Sequence, residues 1–117
     1  MSVLTRMKLS GTTAGKPLLI TSTNSTGANT VHVCTTSTGS GVWDEVYLWG
    51  FNNTTGTVDL SLEYGDTTSV VVCSLSAKST TKILPGTMGN ASTTIKGFKG
   101  GAGTVGVIGF VNRIVSS

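Results

Sequence analysis

Strict alternation of apolar and polar residues over positions 58–64 is the feature that most constrains the fold of this chain. Side chains of a β-strand point to opposite faces at successive positions, so the run Val-Asp-Leu-Ser-Leu-Glu-Tyr predicts a half-buried strand. The predicted inward face consists of Val58, Leu60, Leu62 and Tyr64. The carboxylates Asp59 and Glu63 are predicted to lie on the opposite, solvated face.

Similar short runs, separated by clusters of Gly, Ser, Thr and Asn, fill most of the 117 residues, and no helical period of useful length appears. We therefore predict an all-β fold, an antiparallel β-sandwich or jelly-roll-like structure of about eight short strands. The length fits a single domain over residues 1–117. Residues 3–9 are predicted to form either a strand or part of an extended N-terminal arm covering residues 1–10. Residues 52–56 are predicted to form a hairpin loop.

The run over residues 43–51 is apolar on both faces from Val46 onward, which is typical of a central strand or of one that meets a second subunit. Four aromatic residues share one side of this run. We predict that they pack in the core or, preferably, against a second subunit: Trp43, Tyr47, Trp49 and Phe51.

Charge is sparse and unevenly placed. Only 11% of residues are charged and the net charge is +3. All acidic residues precede residue 67, and the basic residues after it have no acidic residue between them. The two halves could pair head-to-tail between subunits, or the basic half could face an acidic partner. The strands could instead interleave and mix the charges within the fold, and the sequence leaves all three open.

The sequence offers no set of residues for catalysis, metal binding or a cofactor. His32 is the single histidine and is predicted to be a hydrogen-bonded structural residue. Asp59 and Glu63 lie about 13 Å apart along a strand, too far for a glycosidase pair. The glycine-rich residues 97–104 lack the Lys-Ser/Thr of a phosphate loop. We expect no enzymatic activity, no cofactor and no metal.

Cys34 and Cys73 are predicted to be buried thiols, because no secretory signal precedes them; whether they ever form a disulfide stays open. No apolar stretch approaches the roughly 20 residues that a membrane-spanning helix needs, so no membrane partner is expected.

Four segments resemble a known family. They are residues 46–53 (VYLWGFNN), 60–65 (LSLEYG), 84–86 (LPG) and 109–114 (GFVNRI). Over residues 43–114 the chain is similar to the small all-β capsid decoration, or cement, proteins of tailed bacteriophages. The resemblance implies a protein made in the host cytoplasm and located on the capsid surface of the virion. There it would bind the major capsid protein, often as a homotrimer, and stabilise the head against its DNA.

If the chain is a decoration protein, the first strand or arm, which lies outside the resembling residues 43–114, is the predicted capsid contact. It offers strand-edge hydrogen bonds and two cations to an acidic shell surface. The predicted contact residues are Val3, Leu4, Arg6 and Lys8.

Two alternatives belong to other functional classes. One is a small β-barrel that binds single-stranded nucleic acid on its aromatic residues. Against it, those residues adjoin Asp44 and Glu45 while the lysines lie elsewhere in the sequence, and we therefore expect no nucleic-acid partner. The other alternative is a phage tail or fibre module that adheres to cell-surface glycans.

Overall fold

The computed structural model describes residues 3–39 and 41–116 and contains nine β-strands in that part of the chain. They are β1 (Val3–Lys8), β2 (Leu18–Leu19), β3 (Asn29–Val33), β4 (Val42–Asn52), β5 (Val58–Tyr64), β6 (Val70–Leu75), β7 (Ser79–Gly89), β8 (Thr94–Lys99) and β9 (Val105–Val115). No helix in residues 3–39 and 41–116 is long and apolar enough to cross a membrane.

The strands form two antiparallel sheets. The large sheet has five strands in the order β1-β9-β4-β7, with the short β2 also paired to β9. The small sheet has four strands in the order β3-β8-β5-β6. The prediction of an all-β antiparallel sandwich is confirmed, with nine strands instead of about eight.

The core lies between the inner faces of the two sheets. Alternation along β4 buries Val46 and Leu48 completely, and alternation along β5 does the same for Leu60 and Leu62. Each such side chain contributes about 1.5–3 kcal/mol by leaving water. The other fully buried large residues are Leu9, Ile20, Val31, His32, Leu75, Ile95, Val105, Val107 and Val111.

Residues 3–8 form an edge strand rather than an arm that projects from the domain. Every residue of β1 is in register with β9, from Val3 opposite Val115 to Lys8 opposite Phe110. The edge that faces away from β9 remains without a strand partner among the described residues.

Several local expectations differ from the structure. The loop over residues 52–56 joins β4 of the large sheet to β5 of the small sheet, so it is not a hairpin loop. Glu63 is also not solvated: its side chain is buried, and the Ser25 hydroxyl donates a hydrogen bond of 2.6 Å to its Oε2. The alternation rule considers only the strand itself, so it does not predict burial of Glu63 by a polar loop that folds back over the strand. Asp59 is exposed, as predicted.

Candidate functional site

The outer face of the large sheet carries a row of part-exposed aromatic side chains. In β4 the residues at odd positions face away from the core, and β9 lies beside them in register, with Tyr47 opposite Phe110 and Phe51 opposite Gly106. We call the surface formed by Tyr47, Trp49, Phe51 and Phe110 the aromatic face.

Phe110 contacts two other rings of the aromatic face across the strands. Tyr47 and Phe110 stack with centroids 4.8 Å apart and an interplanar angle of 19°. Trp49 and Phe110 lie 6.1 Å apart, tilted by 34°. Aromatic pairs at these distances contribute about 0.5–1.5 kcal/mol beyond their buried area, so the face is preorganised as one surface.

Gly106 of β9 leaves room for the ring of Phe51 to approach the backbone of the sheet. A Cβ at Gly106 would stand 2.5 Å from Cζ of Phe51 and 2.6 Å from the carbonyl oxygen of Leu18. The glycine-rich sequence of β9 thus serves a close approach of an aromatic ring to the backbone.

Two cations flank the aromatic face. The guanidinium carbon of Arg6 lies 4.5 Å from the centroid of Phe110. The ammonium of Lys82 lies 5.9 Å from the centroid of Tyr47 and 5.4 Å from that of Trp49. Each cation–π contact is worth about 0.5–1 kcal/mol at an exposed position, and both cations retain exposed side chains that can bind a partner.

Hydrogen bonds hold one end of the face in place. The Tyr47 hydroxyl donates to Oε1 of Glu45 at 2.7 Å, and the Asn112 amide donates to the same oxygen at 3.4 Å. The hydrogen bond to Glu45 raises the pKa of Tyr47 above its usual value, so the hydroxyl stays protonated. Arg6 Nε donates to Asn112 Oδ1 at 3.4 Å, which ties β1 into this arrangement.

In the structure, part of the predicted capsid contact on β1 lies on the same outer face as the predicted subunit-packing residues of β4. Of the predicted capsid contacts, Arg6 stands on the aromatic face, and Leu4 has the same parity on β1 and is 58% exposed. Val3 has the opposite parity and pairs with Val115. The ammonium of Lys8 donates to the carbonyl oxygen of Thr12 at 2.9 Å, so it stabilises the turn after β1.

The predicted subunit-packing residues lie on the outside of the sheet. Tyr47, Trp49 and Phe51 form most of the aromatic face, and Trp43 occupies the same side of β4 by parity, part-buried. None of the four belongs to the core between the sheets, so of core and subunit packing only the packing against a second subunit remains, and it stays a prediction. Phe110 and Lys82 were missed, because β9 and β7 are distant in sequence and only the register brings them beside β4.

A buried polar network lies on the inner face of β4, directly behind this surface. Asp44 accepts hydrogen bonds from Arg113 Nε at 2.7 Å and Nη2 at 3.0 Å, and from the backbone N–H of Thr35 at 3.0 Å. Nε2 of His32 lies 3.0 Å from Oδ2 of Asp44, and the N–H of Ser10 donates to Nδ1 of His32 at 3.0 Å. This confirms the prediction that His32 is hydrogen-bonded within the structure.

The network fixes the protonation of its members. Because Nδ1 of His32 accepts a hydrogen bond, the imidazole proton lies on Nε2 and points at Asp44. Burial lowers the pKa of His32, and the hydrogen bond to Asp44 only partly offsets this. Burial alone would raise the pKa of Asp44, but hydrogen bonds from Arg113 and His32 outweigh it and hold that pKa below its usual value. The folded network is therefore a neutral imidazole beside an Asp–Arg ion pair.

Cys34 brings a third potential metal ligand to this point. The ligand atoms of His32, Cys34 and Asp44 all lie within 4.8 Å of one another. A cation there would have to replace the proton on Nε2 while Nδ1 still accepts from Ser10, and it would compete with Arg113 for both carboxylate oxygens. Burial also raises the pKa of the Cys34 thiol to about 11, which disfavours the thiolate that binds metals. The cluster fits a structural role better than metal binding.

The burial of Asp44 also removes the repulsion that this acid was expected to exert on a negatively charged partner of the aromatic face. Asp44 is fully buried and neutralised by Arg113, so it does not face the surface beside the aromatic rings. The pairing of an early acid with a late base shows that the unevenly placed charges of the sequence mix, at least here, within the fold.

Comparisons with protein-family models, curated proteins and solved structures found no match for this chain.

Proposed function

We propose that this protein is a non-enzymatic virion component, a decoration or cement protein that binds the outer surface of a phage head and stabilises contacts between major capsid proteins. The observation that carries the proposal is the continuity of Arg6, Phe110, Tyr47 and Trp49 on one outer face. On this proposal Arg6, which the sequence assigned to capsid contact, and Tyr47 and Trp49, which it assigned to subunit packing, belong to one binding surface.

The chemistry of this surface suits binding to another protein. Aromatic residues and arginine are enriched at the energetically important centres of protein interfaces, where their large rings lose contact with water. Here the rings are already stacked and Tyr47 is held by Glu45, so little side-chain entropy remains to be lost on binding. Arg6 and Lys82 add attraction to an acidic partner surface.

The exposed edge of β1 extends the same surface. Leu4 is 58% exposed beside Arg6, and the outer edge of β1 offers backbone groups to an added strand. A capsid protein that contacts both the edge and the aromatic face would be bound by hydrogen bonds and by apolar contact. Because such a protein binds only the assembled shell, each bound copy stabilises that shell through mass action.

The direct test uses heads prepared without this protein. We expect them to release DNA at a lower temperature than complete heads, and addition of the purified chain to restore the difference. A Tyr47→Ala/Trp49→Ala variant should fail to restore it, whereas Asp59→Ala, which alters an exposed residue of the small sheet, should restore it fully. Equal thermal stability of heads with and without the protein would reject the cementing role.

Binding to single-stranded nucleic acid is a second candidate, favoured by the position of Lys82 over Tyr47 and Trp49. Part-exposed rings beside cations are the arrangement on which bases stack while phosphates are neutralised. Its test is the tryptophan fluorescence of the protein titrated with oligothymidylate. Affinity that falls steeply between low and moderate salt supports this function, and no binding at low salt eliminates it.

A further inference from the structure

The free edge of β6 differs from every other sheet edge in the described residues. It runs for six residues without charge, proline, glycine or register shift against β5. Three consecutive valines on it are exposed: Val70 37%, Val71 40% and Val72 61%. An unprotected apolar edge of this kind is a template for pairing with another strand.

The other edges carry protection. Arg6 and Lys8 on β1 repel a basic strand and leave that edge to an acidic partner, and β2 has only two residues. Pro85, Lys82 and two register shifts interrupt β7. The loop between β1 and β2 covers part of the edge of β3, since Gly11 N donates to the carbonyl oxygen of Val31 at 2.9 Å.

We infer that β6 pairs antiparallel with β6 of a second copy of this chain about a two-fold axis at Val72, and so joins two small sheets into one of eight strands. This inference does not depend on the proposed function.

The hydrogen-bond pattern of β6 fixes which residues face the second copy. Tyr64 N donates to the carbonyl oxygen of Ser69 at 2.8 Å, and the register continues with Leu62 opposite Val71. Hydrogen-bonded and non-hydrogen-bonded pairs alternate along an antiparallel ladder, so the backbone groups of Val70, Val72 and Ser74 point away from β5. These groups are the ones available to a new strand.

Charge complementarity selects the second copy as the occupant and Val72 as the centre. With Val72 opposite Val72 of the other copy, Val70 lies opposite Ser74, and all these residues have outward backbone groups. The same register brings the turn before β6, which holds Asp66, to the end of the other copy's strand where the turn that holds Lys78 begins. Both residues are exposed, and the two-fold axis repeats the pair at the other end of the junction. No like charges face each other, as a self-complementary interface requires.

A disulfide at the axis tests the register. Directly opposed residues of a hydrogen-bonded pair have Cα atoms about 5.5 Å apart, within the range of a disulfide. In a Cys73→Ser background, Val72→Cys should give a covalent dimer on mild oxidation, whereas Val70→Cys should not, since the two copies of residue 70 lie about 13 Å apart. Equal crosslinking of both variants, or none at Val72→Cys, would overturn the register.

The mass of the unmodified chain in solution tests the association itself. Sedimentation equilibrium should show reversible association toward twice 11.9 kDa. Val72→Lys should raise the dimer dissociation constant about tenfold or more, and Lys78→Glu should raise it by a smaller factor. The matched control, Val33→Lys, adds the same charge to the exposed edge strand β3 and should leave the constant unchanged. A chain that stays monomeric up to about 1 mM, or that forms the trimer implied by the family resemblance, contradicts the inference.

Discussion

The two faces of strand β4 differ in how far their side chains are buried and paired within the domain. On the inner face, Asp44, Val46 and Leu48 are fully buried and every polar atom of Asp44 has a partner within the chain. On the outer face, Tyr47 and Trp49 remain part-exposed although they stack with Phe110. One alternating strand thus devotes one side to the stability of the domain and leaves the other available to a partner. Substitutions on the two sides should separate stability from binding.

The largest effect is expected from Asp44→Ala. The substitution leaves His32 and the backbone N–H of Thr35 without their buried acceptor, and Arg113 without its ion pair. Each of the two buried donors left without an acceptor costs about 1–3 kcal/mol, and Arg113, whose side chain is 31% exposed, also loses its ion pair. Urea unfolding should show this loss, while Asp59→Ala, at an exposed position, should change the free energy of unfolding by less than about 0.5 kcal/mol. Equal effects of the two variants would show that the network contributes nothing specific.

Adjacent residues on opposite faces give the sharpest comparison. Leu48→Ala should lower the free energy of unfolding by about 2–5 kcal/mol, because it opens a cavity in the core. Trp49→Ala removes a part-exposed ring and its contact with Phe110, and should cost about 0.5–1.5 kcal/mol. If Trp49→Ala were the more destabilising of the two in thermal and urea unfolding, the outer face would have to be counted as core.

The free energy of unfolding should decrease at acid pH because of the polar network on the inner face. The pKa of His32 is lowered from 6.5 in the folded chain, so below about pH 6.5 the unfolded chain binds a proton that the folded chain does not. Stability should therefore fall as the pH decreases from 6.5, and fall further below 3.8, where unfolded Asp44 also takes up a proton. Unfolding free energies measured from pH 7.5 to 3 should show this. His32→Gln should flatten the part of the curve just below pH 6.5, and a wild-type curve that stays level between pH 7 and 5 would refute the neutral buried imidazole.

The smallest effect on stability is expected from Lys82→Gln. The ammonium lies over Tyr47 and Trp49 at an exposed position, where cation–π contacts contribute about 0.5–1 kcal/mol. The unfolding free energy should fall by no more than that amount, whereas binding to heads should weaken and lose part of its dependence on salt. A large loss of stability with unchanged binding would assign Lys82 to the fold instead of the interface.

Alternation predicted the sandwich and the burial of Val58, Leu60 and Leu62, because a period of two follows directly from strand geometry. It failed where the chain departs from a regular ladder. Regular alternation would place Val31 and Val33 on one face and His32 on the other, but a register shift between Thr30 and His32 accompanies the burial of both Val31 and His32. A Pro-Gly pair is a common turn signal, yet β7 continues through Pro85 and Gly86 to Gly89 at the edge of the sheet, where a missing N–H is tolerated.

The aromatic half of the candidate site was visible in the sequence because four aromatic residues share one parity in a single strand. The cations and Phe110 were not, since pairing of β4 with β9 and β7 depends on the strand order of the sheet. The same holds for Asp44, which looked like a surface acid beside Glu45 and is joined to Arg113 only by the register of β4 with β9.

Binding of the purified chain to heads that lack it tests most directly whether the outer face of the large sheet acts on a partner. Tyr47→Ala/Trp49→Ala should keep the far-ultraviolet spectrum and cooperative unfolding of the wild type but no longer sediment with the heads, while Asp59→Ala should sediment like the wild type. A folded double variant that binds heads as tightly as the wild type would contradict the account.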